Sequence, residues 1–268
     1  MGTTRRWMEL TWPDFQAADM ERAVAVLPVA AIEQHGPHLP VGVDALIMEG
    51  YLDRVMERLP EESGALFLPI QSIGTSREHV AFPGTLTLTP ETALRAWIEI
   101  GESVARAGCR KLVIANSHGG NNALIDIVAR ELRVRRNMLV VPAFWHRFGY
   151  PDGLFGGHER QHGIHAGDIE TSLMLAFRPE LVRTDEIDHF RPASVEMARD
   201  FQWLRATGPQ GFGWMAQDLS PSGAMGDATA ARVDKGESAA DYGVTAFIEL
   251  LADVEAFDLS RLAEGPLD

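Results

Sequence analysis

Residues Val24 to Ile32 read VAVLPVAAI, a run without a charged or hydrogen-bonding side chain, and Glu33, Gln34 and His35 follow it at once. Such a run fits a strand buried on both faces, the condition of strands inside a parallel sheet covered by helices. The rest of the chain supplies those helices. From Leu46 to Leu59 the apolar positions Leu46, Ile47, Leu52, Val55, Met56 and Leu59 recur at helical spacing, and Pro60 stops the element. Ala65 to Ile70 predicts a second strand, Lys111 to Asn116 a third and Met138 to Val141 a fourth. Between them, Thr89-Pro90-Glu91 opens a helix with an N-cap, a proline at N1 and a carboxylate in the first turn. Its buried stripe is Leu94, Trp97, Ile98, Val104 and Ala105, and Gly108 suits its C-terminal cap. Asn122 to Arg136 and Asp168 to Phe177 predict two more helices, and Ala239 to Phe257 a last one. Strands alternating with helices imply right-handed crossovers and a mainly parallel α/β sheet.

Three segments escape this alternation. Gln71 to Leu88 has no helical period and reads as a long ordered loop, a class that is usually functional. Phe144 to Ile164, rich in glycine, histidine and aromatics, also reads as loop. Arg178 to Gly226 reads as irregular, with Gly208, Pro209, Gly211, Gly213, Pro221 and Gly223 clustered, and suits a lid or a subunit contact. No linker or repeat divides the chain, so residues 1–268 form one domain, a size that supports a sizeable core.

Charge narrows the partners. The net charge of −14 repels phosphate backbones and anionic lipid heads, which argues against nucleic acid and membrane partners and favours metal cations and small neutral or cationic substrates. The single cysteine, Cys109, permits no intrachain disulfide and reads as a buried small residue. The first 20 residues hold no apolar secretory core, and no apolar run approaches the ~20 residues of a membrane span, so a cytoplasmic protein is expected.

Ligand-type side chains gather where strands end. Glu33 and His35 follow the first strand, Asp44 lies nine residues beyond His35, and His118 follows the third. The carboxyl ends of parallel strands are where α/β proteins bind ligands. Taken singly, each residue has an ordinary explanation as a turn histidine or a helix-capping carboxylate. Jointly, two carboxylates and two imidazoles suit a divalent Zn, Mn or Fe ion, and buried carboxylates at strand ends are costly unless paired or metal-bound.

Four segments in order carry a closer likeness: EQHGPHLPVGVD (Glu33 to Asp44), GTSREHVAFPGT (Gly74 to Thr85), NSHGGN (Asn116 to Asn121) and HAGDIETSLML (His165 to Leu175). Together they resemble the signatures of the creatininase family of amidohydrolases, from about Leu10 to the final helix. The resemblance implies a three-layer α/β/α fold, two divalent metal ions and a homo-oligomer, usually a hexamer. By position, Glu33, Asp44 and His118 would hold one ion, and His35 and Asp44 the other, with Asp44 bridging. The family's creatinine-cleaving member has a metal-binding glutamate two residues after the third-motif histidine; here that residue is Gly120. The branch with HGGN draws a carboxylate from the fourth motif instead, here Glu170, whose ordinary alternative is a helix N-terminal carboxylate.

His165 is the expected catalytic proton shuttle, since an imidazole titrates near neutral pH. His158 and His162, on the same glycine-rich stretch, are expected to be exposed, although Gln161 and His162 could also hydrogen-bond a substrate. Ser76 and His79 in the long loop are further candidate substrate contacts. Trp145 and Trp214 could form an aromatic substrate wall, with ordinary packing an equal alternative. The creatinine-cleaving member has a ring-covering tryptophan where Gln161 stands. The expected activity is metal-assisted hydrolysis of a small cyclic amide or formamide. Other family members trim a peptide or cleave a cyclic keto-inositol, so a cyclic ketone or lactone is the second reading. A metal-binding protein without turnover is the third.

Overall fold

The computed structural model describes residues 4–208, 210–263 and 265; Pro209 and the chain ends lie outside the described residues. In chain order the elements are α1 (Trp12–Ala17), β1 (Val24–Val29), α2 (Val43–Arg58), β2 (Ala65–Phe67), α3 (Pro90–Arg106), β3 (Lys111–Asn116) and α4 (Asn122–Arg136). There follow β4 (Leu139–Phe144), α5 (Gly157–His162), α6 (Asp168–Phe177), β5 (His189–Phe190), α7 (Ser194–Asp200), α8 (Ala216–Leu219), β6 (Gly226–Asp227) and α9 (Val233–Ala256). The first four strands form one parallel sheet in the order β2-β1-β3-β4. β5 and β6 pair as a short antiparallel ribbon.

The apolar run is the centre of this sheet, and its period of two divides the core. Val24 and Val26 pack with α2, α6 and α9 through Met48, Val55, Met174 and Phe247. Ala25, Leu27 and Val29 pack on the other face with α3 and α4 through Trp97, Ile125 and Leu132. The result is three layers, helix on sheet on helix. Each large side chain removed from water in this way stabilises the fold by about 1.5–3 kcal/mol. No helix among the described residues is long and apolar enough to cross a membrane.

Local signals hold where they are strongest. Thr89 caps α3 by accepting from the Thr92 amide, and Gly108 adopts φ +92° after its end. α4 and α6 occupy the expected spans, and α4 ends on Asn137 in the left-handed region.

Other boundaries move. α2 begins at Val43 rather than Leu46, which sets Asp44 in a helix first turn. β2 is shorter than expected, ending at Phe67, and β4 longer, reaching Phe144. Phe144 to Ile164 is not all loop, because α5 lies within it. Arg178 to Gly226 contains α7, α8 and β5, and packs a small apolar cluster of Ala206, Ala216, Leu219 and Met225. α9 starts at Val233, ahead of Ala239. Gly236 is the reason that start is hidden: a Cβ there would lie 1.9 Å from the Ser172 carbonyl oxygen. The glycine permits close packing of α9 on α6 and does not end the helix.

Candidate metal centre

The carboxyl edge of the sheet collects the candidate ligands. The chain leaving β1 carries Glu33 and His35, the chain leaving β3 carries His118, and the first turn of α2 carries Asp44. Side-chain amides weld these segments together. Asn116 Nδ2 donates to the His118 carbonyl (2.6 Å), and Asn121 Nδ2 donates to the Ala30 carbonyl (3.0 Å). Asn121 Oδ1 accepts from the Thr75 amide (3.0 Å), which ties in the long loop. Ser117 Oγ donates to the Asp44 carbonyl (2.8 Å). α6 brings Glu170, and α6 is itself fixed by the buried ion pair of Asp168 with Lys235 of α9. Between His165 and Gly167 the backbone takes a left-handed turn at Ala166 (φ +56°), an uncommon conformation for a residue with a Cβ.

Two clusters meet at Asp44. In one, His35 Nε2 lies 3.9 Å from Asp44 Oδ1 and 3.9 Å from Glu170 Oε2. Its Nδ1 donates to the Glu33 carbonyl (3.0 Å), so Nε2 presents its lone pair to the carboxylates. In the other, His118 Nδ1 lies 3.3 Å from Glu33 Oε1 and 3.5 Å from Asp44 Oδ2, while Nε2 donates to the Thr75 carbonyl (2.9 Å). Glu33 Oε2, His35 Nε2 and Asp44 Oδ2 are buried without a hydrogen-bond partner among the described residues. Buried polar atoms are rarely left so, and Glu33, His35 and Asp44 each offer a ligand atom within 4.8 Å of the others, which matches the donor set of a divalent cation. Glu170 Oε2 also accepts from the Ala166 amide, so its helix-terminal role and its place in the cluster coexist.

Electrostatics distinguishes the two clusters. Burial holds His35 well below its ordinary range, aided by the neighbouring His165, so the ring is neutral. Burial also opposes charge on His118, but Glu33, Asp44 and Glu78 outweigh it and raise the ring to about 10. Glu33 shows the mirror effect: burial pushes its carboxyl up, and the surrounding histidines, His118 foremost, bring it well below the usual range. Asp44 is raised well above, by burial and then by the Glu33 charge. A protonated His118 therefore supplies positive charge among these carboxylates.

The remaining candidates separate. His165 Nδ1 lies 3.6 Å from Glu33 Oε1, Nε2 donates to the Gln34 carbonyl, and the ring packs 4.0 Å from that of His35. His79 is buried beside it, with Nε2 3.5 Å from Glu33 Oε1 and Nδ1 bonded to Gln34 Nε2 (2.8 Å). Ser76, two positions before Glu78, is buried away from the cavity. His162 is likewise outside the cavity wall; contrary to its expected exposure it is buried, with Nδ1 3.0 Å from Ser194 Oγ, while His158 is exposed. Gln161, Trp145 and Trp214 do line the cavity. Trp145 is also a packing residue, stacked on Tyr51 at 4.1 Å.

Glu78, Gln34, Asn116 and Asn121 were not singled out from the sequence, although all lie inside the four motifs. Glu159 was missed as well: it lines the cavity and burial pushes it up to about 7. The cavity over the cluster measures about 1140 Å³. Thr207, Gly208, Phe212, Gly213 and Trp214, from the segment before β6, form part of its wall.

Known proteins resemble this chain in sequence and in fold. The family model of creatinine amidohydrolase matches residues 8–251. The creatinine amidohydrolase of Pseudomonas putida is 35% identical over 207 residues, 69% of this chain and 76% of that protein. The mycofactocin precursor peptide peptidase of Mycobacterium ulcerans (strain Agy99) is 31% identical over 242 residues, 88% of this chain and 84% of that one. A solved manganese form of creatininase superposes with a TM-score of 0.72 at 28% identity, covering 94% of this chain and 98% of that one. A mutant creatininase of Zn–Zn type gives 0.72 at 30% identity, with the same coverage of 94% and 98%. With a family match over most of its length and a fold shared with enzymes solved in manganese and zinc forms, the chain belongs to the creatininase family of hydrolases.

Proposed function

We propose that this protein hydrolyses an amide C–N bond with two divalent ions, Zn, Mn or Fe. Glu33, His118 and Asp44 hold one; His35, Glu170 and Asp44 hold the other. The observation that carries this reading is the convergence of Glu33, His35 and Asp44, whose ligand atoms lie within 4.8 Å of one another and which hold the buried atoms Glu33 Oε2, His35 Nε2 and Asp44 Oδ2 without a hydrogen-bond partner among the described residues. Ions held there would supply Lewis acidity and lower the pKa of water. The chain's own residues do the rest. His35 is held with Nε2 outward by the Glu33 carbonyl, and His118 is held by the Thr75 carbonyl. His165, anchored through Nε2 on the Gln34 carbonyl, has Nδ1 available to carry a proton to the leaving nitrogen.

The substrate is an amide-bearing small molecule or peptide. A small cyclic amide or formamide enters with room to spare, because the cavity of about 1140 Å³ exceeds the roughly 300–1,000 Å³ of most small-ligand sites. That surplus favours a larger substrate, and the M. ulcerans relative is named for a precursor peptide. The homo-oligomer, a hexamer by family resemblance, belongs to the same proposal and is tested by sedimentation.

The decisive experiment combines metal analysis with a substrate panel. Purified protein is loaded with Mn²⁺ or Zn²⁺ and offered cyclic amides, N-formyl compounds and short peptides, with amine release as the readout. Two ions per chain and amine release from a panel member are expected. Full metal loading with cleavage of a cyclic ketone or lactone alone would replace C–N hydrolysis by the second reading. Failure to bind metal would remove the proposed centre itself.

A further inference from the structure

Glu78 sits in the short turn Arg77–His79, within the long loop, and although its carboxylate comes within 4.8 Å of ligand atoms of Glu33 and His118, it faces His118 Nε2 rather than the Nδ1 that points to Glu33 and Asp44. Its carboxylate Oε1 lies 3.7 Å from His118 Nε2, on the side of the ring opposite Glu33 and Asp44. That side chain is 21% exposed, and His118 is its ion-pair partner among the described residues. An enclosed carboxylate is costly without a compensating positive or polar neighbour.

Gly120 explains how the carboxylate comes to be there. A Cβ at position 120 would lie 2.5 Å from His118 Nε2, 2.6 Å from Glu78 Oε1 and 2.6 Å from the Thr75 carbonyl oxygen. Real Cβ atoms do not approach so closely, and one of the three contacts is backbone. A side chain at 120 and the present pose of Glu78 and His118 are therefore mutually exclusive. The absent side chain opens the space that the carboxylate from the neighbouring loop enters.

We propose that Glu78 is a positioning residue for His118, standing behind the imidazole in the space left by Gly120 and holding Nδ1 toward Glu33 and Asp44. The Thr75 carbonyl accepts the Nε2 proton at 2.9 Å, and the carboxylate flanks the same N–H. A negative group behind a ligating imidazole fixes its tautomer and orientation, and losing such a partner typically weakens metal binding about 10–100-fold. The effect falls on one ion only, because His35 and Glu170 lie on the far side of Asp44.

This inference rests on the two-ion reading above, and the test separates the two. Zn²⁺ affinities of both sites are measured by competition with a chelating indicator in wild type, Glu78→Gln and Glu78→Asp, together with thermal unfolding of the metal-free proteins. Wild type binding two ions is the precondition; if it does not, the proposed metal centre fails and takes this inference with it. Glu78→Gln, which keeps the shape and removes the charge, is expected to weaken one site about 10–100-fold, leaving the other site and the metal-free melting temperature unchanged. Glu78→Asp is expected to recover part of the loss. Two unaltered sites in Glu78→Gln overturn the proposal while leaving the metal centre standing. Equal weakening of both sites with a lower metal-free melting temperature also overturns it, since that is the signature of a structural role.

Discussion

Replacing Asp44 by asparagine should make the metal-free protein more stable and the metal-loaded protein less stable than wild type. Asp44 is buried, its Oδ2 has no hydrogen-bond partner among the described residues, and the charges of Glu33, Glu170 and Glu78 act on it against that of His118. Burial and then the Glu33 charge raise its pKa in the folded state. The sign follows: a carboxyl raised on folding binds its proton more tightly in the native state, so stability is lost as pH rises above the ordinary carboxylate range. The Asp44→Asn side chain carries no charge at nearly the same volume, and its advantage grows with pH. Exchanging a buried, unsatisfied charge for a neutral amide is worth on the order of 1–3 kcal/mol. Taking about 2 kcal/mol and roughly 2–4 °C per kcal/mol for a chain of this size, the metal-free variant should melt about 4–8 °C higher. Metal reverses the order. An ion at about a thousand times its Kd stabilises by about 4 kcal/mol, which raises wild type by roughly 8–16 °C per ion. Asp44→Asn loses the ligand shared by both ions and forgoes most of that gain. Differential scanning calorimetry in excess chelator and then in excess Zn²⁺, at about pH 8, above the ordinary carboxylate range, reads both arms. A variant that melts below wild type in chelator would refute the electrostatic argument, and one that keeps the full metal-induced rise would refute the shared ligand.

Glu170→Gln should lose mainly one ion by elemental analysis while circular dichroism stays unchanged; full stoichiometry would leave Glu170 only its contact with the Ala166 amide. Because His118 is raised to about 10 in the metal-free protein and must be neutral to bind an ion, Zn²⁺ binding at neutral pH should expel about one proton from it. Calorimetric enthalpies should then vary with the ionisation enthalpy of the buffer, and buffer-independent values would contradict the assignment. Gly236→Ala should destabilise by about 1–3 kcal/mol or more, since its Cβ would meet backbone oxygen of Ser172 on the helix that carries Glu170; an unchanged urea midpoint would show that α9 shifts freely. Creatinine hydrolysis, followed as creatine formed by the fully metallated protein, should be negligible, because Gly120 and Gln161 offer neither the glutamate nor the stacking surface; robust turnover would show that neither position controls specificity.

The sequence by itself determined the elements whose causes are local. Val24 to Val29 is apolar enough to be only the centre of a covered sheet, and the cap at Thr89 and the stop at Gly108 act within a turn or two of their own positions. Order along the chain also exposed Glu33, His35, Asp44 and His118, because parallel strands must deliver their following residues to one edge, whereas Glu170, on α6, was reached only through the resemblance of the four motifs. The tertiary structure decided which neighbours in a loop face that edge. Ser76 and His79 sit three residues apart in the same turn, yet the first does not line the cavity and the second does and touches Glu33. Gln161 and His162 are adjacent, and only the first lines the wall. No periodicity governs such residues, since their direction is set by contacts with segments distant in sequence, such as Ser194 for His162 and Gln34 for His79. Glu78 illustrates the limit most plainly: its place beside His118 depends on the volume left free at Gly120, which follows a different strand, and volume excluded between distant segments is a property of the folded molecule alone.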